Sequence, residues 1–490
     1  MFTFNSSTDP ENTADGKSAG LSPSAGIRGF EDALKRLRLL RNISARHEKN
    51  STIVDNLYAR CIETVEKRLL LLPEMSLPIP QKPRQIIRNM QDMLEALAGL
   101  LLTKDGAAPA SDEIPPLALW RALRLFSRHL FISNLTAAPS GTGVWKQLHQ
   151  VYKLAALQGV TYAVPEKATR SIRDEYFAAI LLGCAQPTSF SGRDVYFLDR
   201  YLERFSEHVD TNVDNPLENL GTFWINQESD APATPYSRKP PPPGTPVLSF
   251  SCHRLVALLE NQLTALDTGT PSKWINLPSF ASTPLGTSVL NRLIHLWGNP
   301  GTRRFPRRSQ NYRCEMCFGF DNLCQIYKKT PLPVETSPWM VTNESLDGYA
   351  VMHLSGKTRA ITVGDIAALR TETGNNWQLC IIRWALSENQ EHIELGLQIL
   401  ASRVCTANLV WRAQMDETTG VAATNYQSTL VLSATPTLSL VVPVGALTEH
   451  SKNLVLVIER DNVEIREISN VHCDERNGLI ELYGITSAWS

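Results

Sequence analysis

The chain contains 490 residues, more than one hydrophobic core normally supports, so we expect about two to four domains. Hydrophobic residues make up 43% and charged residues 20%, which is typical of soluble globular proteins. The formal net charge of −1 provides no overall field that would attract a nucleic acid polymer or an anionic membrane. Any basic binding site must therefore be local.

The N-terminal end shows no apolar segment behind basic residues, so the sequence indicates no secretory signal. Its longest apolar runs, such as 94–102, are well below the roughly 18 residues that a membrane-spanning helix needs. The nine cysteines are scattered along the chain, and we expect them to be reduced. These features predict a cytoplasmic protein with no membrane span.

The N-terminal half has a helical pattern. Residues 1–26 are rich in small polar residues and are expected to form a disordered tail. A helical domain is predicted over 27–225, because apolar residues recur there at three- and four-residue spacing. A proline-rich linker is predicted over 226–250, and helical signals return over 251–300. Prolines at 73, 78, 80 and 83 break the helical pattern. After them, the predicted helices cover 84–103, 116–134, 144–158, 170–185, 192–208, 251–266 and 284–297.

The pattern changes to a period of two after residue 310. Cys314, Met316 and Phe318 alternate with polar or small residues, as in a half-buried strand that continues to Phe320. Further strand-like segments reach Ile480, and a separate β-rich domain is expected over 403–490. Strands that follow helices in this way predict an α+β multidomain protein.

Four arginines cluster just before the first of these strands. They form two overlapping R-x-x-x-R pairs, and Pro306 between them excludes an ordinary helix interior. The arginines are Arg303, Arg304, Arg307 and Arg308. After a proline-containing stretch near Trp339, expected to be an extended loop, comes the sequence Asn343-Glu344-Ser345-Leu346-Asp347-Gly348.

These two segments resemble the signature of the PilZ family, R-x-x-x-R followed by [D/N]-x-S-x-x-G. Gly364-Asp365, Ile382-Arg383-Trp384 and 393–398 resemble the family further, so that the likeness covers about 100 residues. It implies a small β-barrel over 302–402 and binding of cyclic di-GMP, a second messenger of bacterial signalling. By the same likeness, Arg303 and Arg307 would bind phosphates and guanines, and Asn343 and Ser345 would recognise guanine.

The chemistry of these residues suits such a ligand. A guanidinium is permanently charged and presents a planar fork of donors to phosphate oxygens or to the guanine edge. Asn343 can pair with polar atoms of guanine, and Ser345 offers a compact hydroxyl. Gly348 permits a positive φ or a close ligand approach. The sequence does not decide which overlapping arginine pair would contact the ligand.

An alternative interpretation is a PilZ-like barrel without ligand that acts as a protein interaction module. Asp347 favours this alternative because it places a carboxylate beside the anion site. The sequence contains no phosphate-binding loop, dinucleotide fingerprint or nucleophile elbow, so no catalytic residues or cofactor are predicted, and we expect no enzyme. Under either interpretation we expect a protein partner to bind the helical domain.

The segment Cys314-Glu315-Met316-Cys317 has the C-x-x-C spacing that occurs in zinc sites. A zinc ribbon usually needs two such pairs on turns, whereas this pair lies in an alternating strand. The two thiols of that strand would lie on opposite faces of the sheet. No metal is therefore predicted.

Overall fold

The structure is a computed structural model. The residues that it describes are 47–102, 113–213, 220–301, 305–328, 333–356, 358–374, 376–389, 391–412, 424–434, 437–447, 452–459, 463–468 and 470–486. The whole of the predicted disordered tail (1–26), and residues 27–46 of the predicted helical domain, lie outside these ranges.

The N-terminal half is helical, as the amphipathic pattern predicts. Its helices are α1 (His47–Leu69), α2 (Gln81–Leu102), α3 (Pro116–Leu135), α4 (Val144–Leu157), α5 (Ile172–Cys184), α6 (Gly192–Phe205), α7 (His253–Asp267) and α8 (Pro284–Gly298). Each predicted helix from residue 84 onward corresponds to one of these helices. None of the helices in the described ranges is long and apolar enough to cross a bilayer.

The proline-rich segment is part of the folded domain. It contains β2 (Thr234–Pro235) and most of β3 (Leu248–Ser251), which both pair with β1 (Thr222–Ile225) in a small antiparallel sheet. Phe223 and Phe250 stack at 5.4 Å between ring centroids, and both belong to the core that the helices share. Helices α7 and α8 bury residues in that same core, so the segment connects two parts of one domain.

Buried charges link the helices of this domain. The Arg128 side chain is 1% exposed, and it pairs with Asp199 and Glu203 on α6 at 2.7 Å each. Arg124, one turn earlier on α3, pairs with the same Glu203 at 2.7 Å. Since a buried charge is costly unless it is paired, this network favours one relative position of α3 and α6.

A closed barrel follows the helical domain. Its strands are β4 (Arg308–Phe318), β5 (Ser337–Ser345), β6 (Gly348–His353), β7 (Ile366–Thr371), β8 (Gln378–Ser387) and β9 (Ile393–Ala401), and they pair in the order β4-β5-β6-β9-β8-β7. The short helix α9 (Phe320–Ile326) lies between β4 and β5. The expectation that the strand runs to Phe320 is wrong, because Gly319 has a φ of +90° and ends β4 at Phe318.

The barrel interior and the helical core form one continuous apolar cluster. Two backbone contacts join the domains at this boundary: Leu77 pairs with Ile361, and the Ser387 N–H donates to the Ala137 carbonyl at 2.7 Å. Arg84 adds a side-chain hydrogen bond to the Ser387 hydroxyl at 3.0 Å. The barrel is therefore held against the helices on one side.

The C-terminal sheet contains seven strands. They are β10 (Val404–Arg412), β11 (Thr424–Ala434), β12 (Thr437–Pro443), β13 (Lys452–Glu459), β14 (Val463–Ile468), β15 (Asn470–Arg476) and β16 (Ile480–Thr486), in the order β14-β13-β10-β11-β12-β16-β15. The edge strands β14 and β15 are separated by only one residue, so the sheet must curl to bring its edges together. If β14 and β15 are taken as one interrupted strand, the strand order is that of the barrel.

The C-terminal sheet packs against the outer wall of the barrel through apolar side chains. Leu430 and Leu432 of β11 share a cluster with Ile366 of β7 and Leu323 of α9. Cys317 lies in this outer cluster, whereas Cys314 lies in the barrel interior, so the two thiols are on opposite faces of β4. The α+β organisation predicted from the sequence is confirmed.

Candidate functional site

The barrel brings the two sequence segments together on neighbouring strands. In the antiparallel pair β4–β5, Arg308 lies opposite Glu344 and Ser309 lies opposite Asn343. In the next hairpin, Ser345 lies opposite Gly348. Arg308, the last of the four arginines, and the Asn343–Gly348 turn therefore lie at one end of the barrel.

The arginines described at this end of the barrel are exposed to solvent. Arg307 and Arg308 are both exposed, whereas the predicted residues Arg303 and Arg304 lie outside the described residues. The nearby carboxylate of Glu344 accepts hydrogen bonds from Tyr312 at 3.1 Å and from Gln310 at 3.3 Å. Within the part of the chain that the structure describes, Arg308 makes no ion pair.

The turn between β5 and β6 positions the predicted hydroxyl. The Ser345 oxygen lies 2.7 Å from Asp347 Oδ1 and 3.2 Å from the Gly348 carbonyl oxygen, and its single proton can be donated to one of them. Leu346 at the tip of the turn is 82% exposed. A ligand that uses the Ser345 proton would therefore compete with Asp347.

Gly348 is required by packing against the next strand. It is not among the residues with positive φ, so the first of the two alternatives given for this glycine, a left-handed conformation, does not apply. A Cβ at this position would lie 2.0 Å from the Leu397 carbonyl oxygen. Only glycine allows β6 and β9 to pair this closely at the turn.

An aromatic ring lies on the same outer surface as Asn343. The pairing places Ser309, Asn343, Ala350, Gly396 and Trp384 in one row across five strands. Trp384 is half-buried, and its indole covers Gly396 so closely that a Cβ there would lie 1.7 Å from Nε1. The row therefore consists of small side chains and Asn343 beside one aromatic ring. A planar base can stack on such a ring.

Trp384 was identified from sequence only as part of the family likeness. Its position in the row could not be predicted, because a β-bulge shifts the register between Ile382 and Trp384. Arg383 is the extra residue of this bulge, and bulges re-aim side chains. Its Nε donates to Gln398 Oε1 at 2.6 Å, and its Nη2 donates to Glu475 of the C-terminal sheet at 2.8 Å.

This arginine connects the turn to the C-terminal sheet. Gln398 is the strand partner of Gly348, and Glu475 lies on β15. A second contact close by joins the same two units, because the Asn477 amide donates to the Gly364 carbonyl at 2.8 Å. Arg383 therefore hydrogen-bonds both to the strand partner of Gly348 and to the C-terminal sheet.

Burial shifts the pKa of two groups near this end of the barrel. The pKa of Tyr312 lies well above its usual value, because burial and the adjacent Glu344 carboxylate both disfavour the phenolate. Burial also raises the pKa of Asp365 to about 6, against the opposing hydrogen bond from the Ile366 N–H. Tyr312 is therefore a neutral donor to Glu344 near neutral pH.

Comparison with protein families agrees with this geometry. Residues 328–405 match a family model described as the middle PilZ domain of the cyclic-di-GMP receptor FimW. The barrel is a PilZ domain. Residues 23–215 match a family model described as the N-terminal domain of the same receptor. The match to the PilZ domain begins within the segment after α9 and ends at the start of β10.

A curated relative extends the comparison. The cyclic-di-GMP receptor FimW of Pseudomonas aeruginosa strain PAO1 is 23% identical to this chain over 256 residues, which is 50% of this chain. The alignment covers 41% of the relative's length, so this chain matches less than half of that protein.

Proposed function

We propose that the PilZ domain of this chain binds cyclic di-GMP through Arg307, Arg308, Asn343 and Ser345. The observation that carries the proposal is the strand pairing, which places Arg308 and Ser309 directly beside Glu344 and Asn343. Arg303 and Arg304 belong to the proposed site by their place in the sequence motif. The match to a cyclic-di-GMP receptor supports the choice of ligand.

The contacts available can supply a useful affinity. Micromolar binding corresponds to about 8 kcal/mol. Two arginine contacts would contribute about 1–3 kcal/mol each, and stacking on Trp384 about 1–3 kcal/mol more. Guanidinium groups would neutralise the two phosphates, while the Asn343 amide would pair with a guanine edge.

We propose that binding changes how the PilZ domain is held against its neighbours. Ligand at the turn would act on Gly348 and Gln398, and Arg383 connects Gln398 to Glu475. The change in domain arrangement cannot exceed the difference in ligand affinity between the two arrangements. In this proposal the chain is a cytoplasmic receptor or adaptor, not an enzyme, and a protein partner of the helical domain receives the signal.

A second candidate function is a ligand-free interaction module. The contact that favours it is between Ser345 and Asp347, since this carboxylate accepts the proton that guanine recognition would need. Under this candidate the exposed arginines would contact a protein partner. Cyclic di-GMP would then have no effect on the chain.

Isothermal titration of the full chain with cyclic di-GMP distinguishes the two functions. We expect saturable binding by the unaltered chain and no measurable binding by Arg303→Ala/Arg307→Ala. The matched control is Arg313→Ala, which removes an exposed arginine farther along β4 and should bind as the unaltered chain does. Equal binding by the double variant and the control, with both folded, would contradict the proposed site.

A further inference from the structure

The C-terminal sheet has a position equivalent to the arginine of the PilZ motif. When the β11–β12 turn, with Ala434 opposite Thr437, is aligned on the β5–β6 turn, with Ser345 opposite Gly348, Val404 corresponds to Ser309. The residue before β10 therefore corresponds to Arg308. That residue is Arg403, and its carbonyl accepts the Ser433 N–H at 3.1 Å. Arg403 and Ser433 therefore correspond to Arg308 and Glu344.

A cavity of about 970 Å³ opens at this position. One wall comes from Arg403 and Ser433 of the C-terminal sheet, and the other from the outer surface of the PilZ barrel, including Glu315, Arg370 and Trp377. The volume is at the upper end of the range of about 300–1,000 Å³ that small-molecule sites occupy. The cavity is distinct from the motif site, because none of Arg307, Asn343 and Gly348 lines it.

The charged groups of the cavity favour an anion. Its charged lining residues are Arg370, Arg403 and Glu315, two cations and one anion, which gives a net charge of +1. Arg370 is paired with Glu315 at 2.5 Å. Arg403 is exposed, and its side chain has no ion pair or hydrogen bond within the described ranges. Its planar guanidinium is therefore available for a phosphate.

Aromatic side chains complete the cavity. The guanidinium of Arg370 lies 4.6 Å from the ring centroid of Trp377, which is half-buried. This contact fixes the orientation of both groups and presents a π-system beside the cations. The hydroxyl of Tyr327, a further lining residue, is shielded from solvent and has no hydrogen-bond partner among the described residues.

We propose that this cavity is a second nucleotide site, which takes a purine nucleotide carrying one or more phosphates. Arg403 contacts the phosphate, and the purine packs beside Trp377. Because the C-terminal sheet and the PilZ barrel each supply one wall, a ligand there also holds the two units together. The proposal does not depend on ligand binding at the motif site.

The test uses the full chain with the motif site disabled by Arg307→Ala/Asn343→Ala. This variant is titrated calorimetrically with GMP, GTP and cyclic di-GMP, and with inorganic phosphate, each to about 1 mM. We expect saturable binding of at least one nucleotide, weakened at least about tenfold when Arg403→Ala or Trp377→Ala is added. Arg254→Ala, which removes an exposed charge from α7, is the matched control and should leave binding unchanged.

Two results would overturn the second site. One is the absence of saturable binding by a folded motif-disabled variant. The other is that inorganic phosphate binds as tightly as GMP and that Trp377→Ala leaves the affinity unchanged. This result would exclude purine recognition. Titration of the unaltered chain separates the two proposals. If it shows a single binding event that Arg307→Ala/Asn343→Ala abolishes, the motif site is supported and the cavity is excluded as a nucleotide site.

Discussion

The PilZ barrel and the C-terminal sheet follow the same strand order but use equivalent surfaces differently. Asn343, Ser345 and Gly348 correspond in register to Leu432, Ala434 and Thr437 of the C-terminal sheet. Asn343 is partly exposed, whereas Leu432 is 4% exposed and packs toward the PilZ barrel. The same architecture can therefore present a polar motif in one unit and an apolar docking surface in the other.

The comparison indicates where function resides in this fold. Each unit has its own apolar interior, which includes Val341 in the PilZ barrel and Leu440 in the C-terminal sheet, and both keep the same strand order. The two units differ in their side chains at one end and on one outer face, where Asn343 and Leu432 occupy equivalent positions. Function follows these grafted side chains and not the barrel itself.

The largest expected effect comes from the glycine that distinguishes the two hairpins. A Cβ at Gly348 would lie 2.0 Å from the Leu397 carbonyl, so Gly348→Ala must displace the backbone of β6 or β9. Overpacking typically costs about 1–3 kcal/mol, and contact with backbone leads us to expect at least about 2 kcal/mol. Urea unfolding monitored by tryptophan fluorescence measures this loss of stability.

Gly478→Ala is the matched control. A Cβ at Gly478 in the C-terminal sheet meets nothing within 4 Å, so this variant should unfold close to the unaltered chain. Equal midpoints for both alanine variants would show that Gly348 is not needed for the close pairing.

A smaller effect is expected for the aromatic ring of the outer row. Trp384→Ala should weaken cyclic di-GMP binding by about 1–3 kcal/mol, or roughly 5- to 150-fold, through lost stacking. Trp384→Phe should retain much of the affinity because an aromatic face remains. Titration calorimetry with both variants makes the comparison, and equal loss in both would argue against stacking.

The pH dependence of stability provides a third prediction. The pKa of Asp365 is about 6 in the folded chain and 3.8 without burial, so the unfolded chain ionises first as pH rises. Between pH about 4 and 6 the folded state binds more protons, and ionisation of Asp365 should therefore lower the free energy of unfolding by up to about 3 kcal/mol across this interval. The Asp365→Asn variant should lack this loss of stability with rising pH.

Chemical unfolding at several pH values measures the difference between the Asp365→Asn variant and the unaltered chain. Asp267→Asn, at an exposed site on α7, serves as the control and should show no such difference. A difference between unaltered chain and Asp365→Asn that stays constant from pH 4 to 7 would contradict the assignment.

The smallest effect concerns the polar link between the two units. Arg383 and Glu475 are 38% and 31% exposed, so we expect a coupling energy of about 0.5–1 kcal/mol from a double-mutant cycle with Arg383→Met and Glu475→Gln. The coupling should decrease as salt is raised. A coupling of zero at low salt would show that this pair does not contribute to holding the units together.

Local patterns in the sequence predicted much of this fold. The apolar spacing of α2 to α8 and the alternation of Cys314, Met316 and Phe318 gave the helices and β4 close to their observed bounds. The proline-containing stretch near Trp339 was predicted to be an extended loop, whereas the structure has a strand there that includes Pro338. It lies near the start of β5, where it pairs with Glu315.

The candidate site was only partly predictable for a physical reason. The motif identifies residues near one turn, but the row that ends in Trp384 depends on pairing across five strands and on a bulge. The likeness between the two β units was likewise hidden, since Leu432 and Ala434 replace the motif residues. Non-local pairing of this kind cannot be inferred from local periodicity.

The most direct test of the account exchanges the motif residues of the PilZ barrel for their counterparts in the C-terminal sheet. Cyclic di-GMP is titrated into the unaltered chain and into Asn343→Leu/Ser345→Ala, with thermal unfolding to verify that the variant is folded. The account predicts saturable binding by the unaltered chain and a loss of at least about 100-fold in the variant. No binding by the unaltered chain at near-millimolar ligand, or equal binding by both, would contradict it.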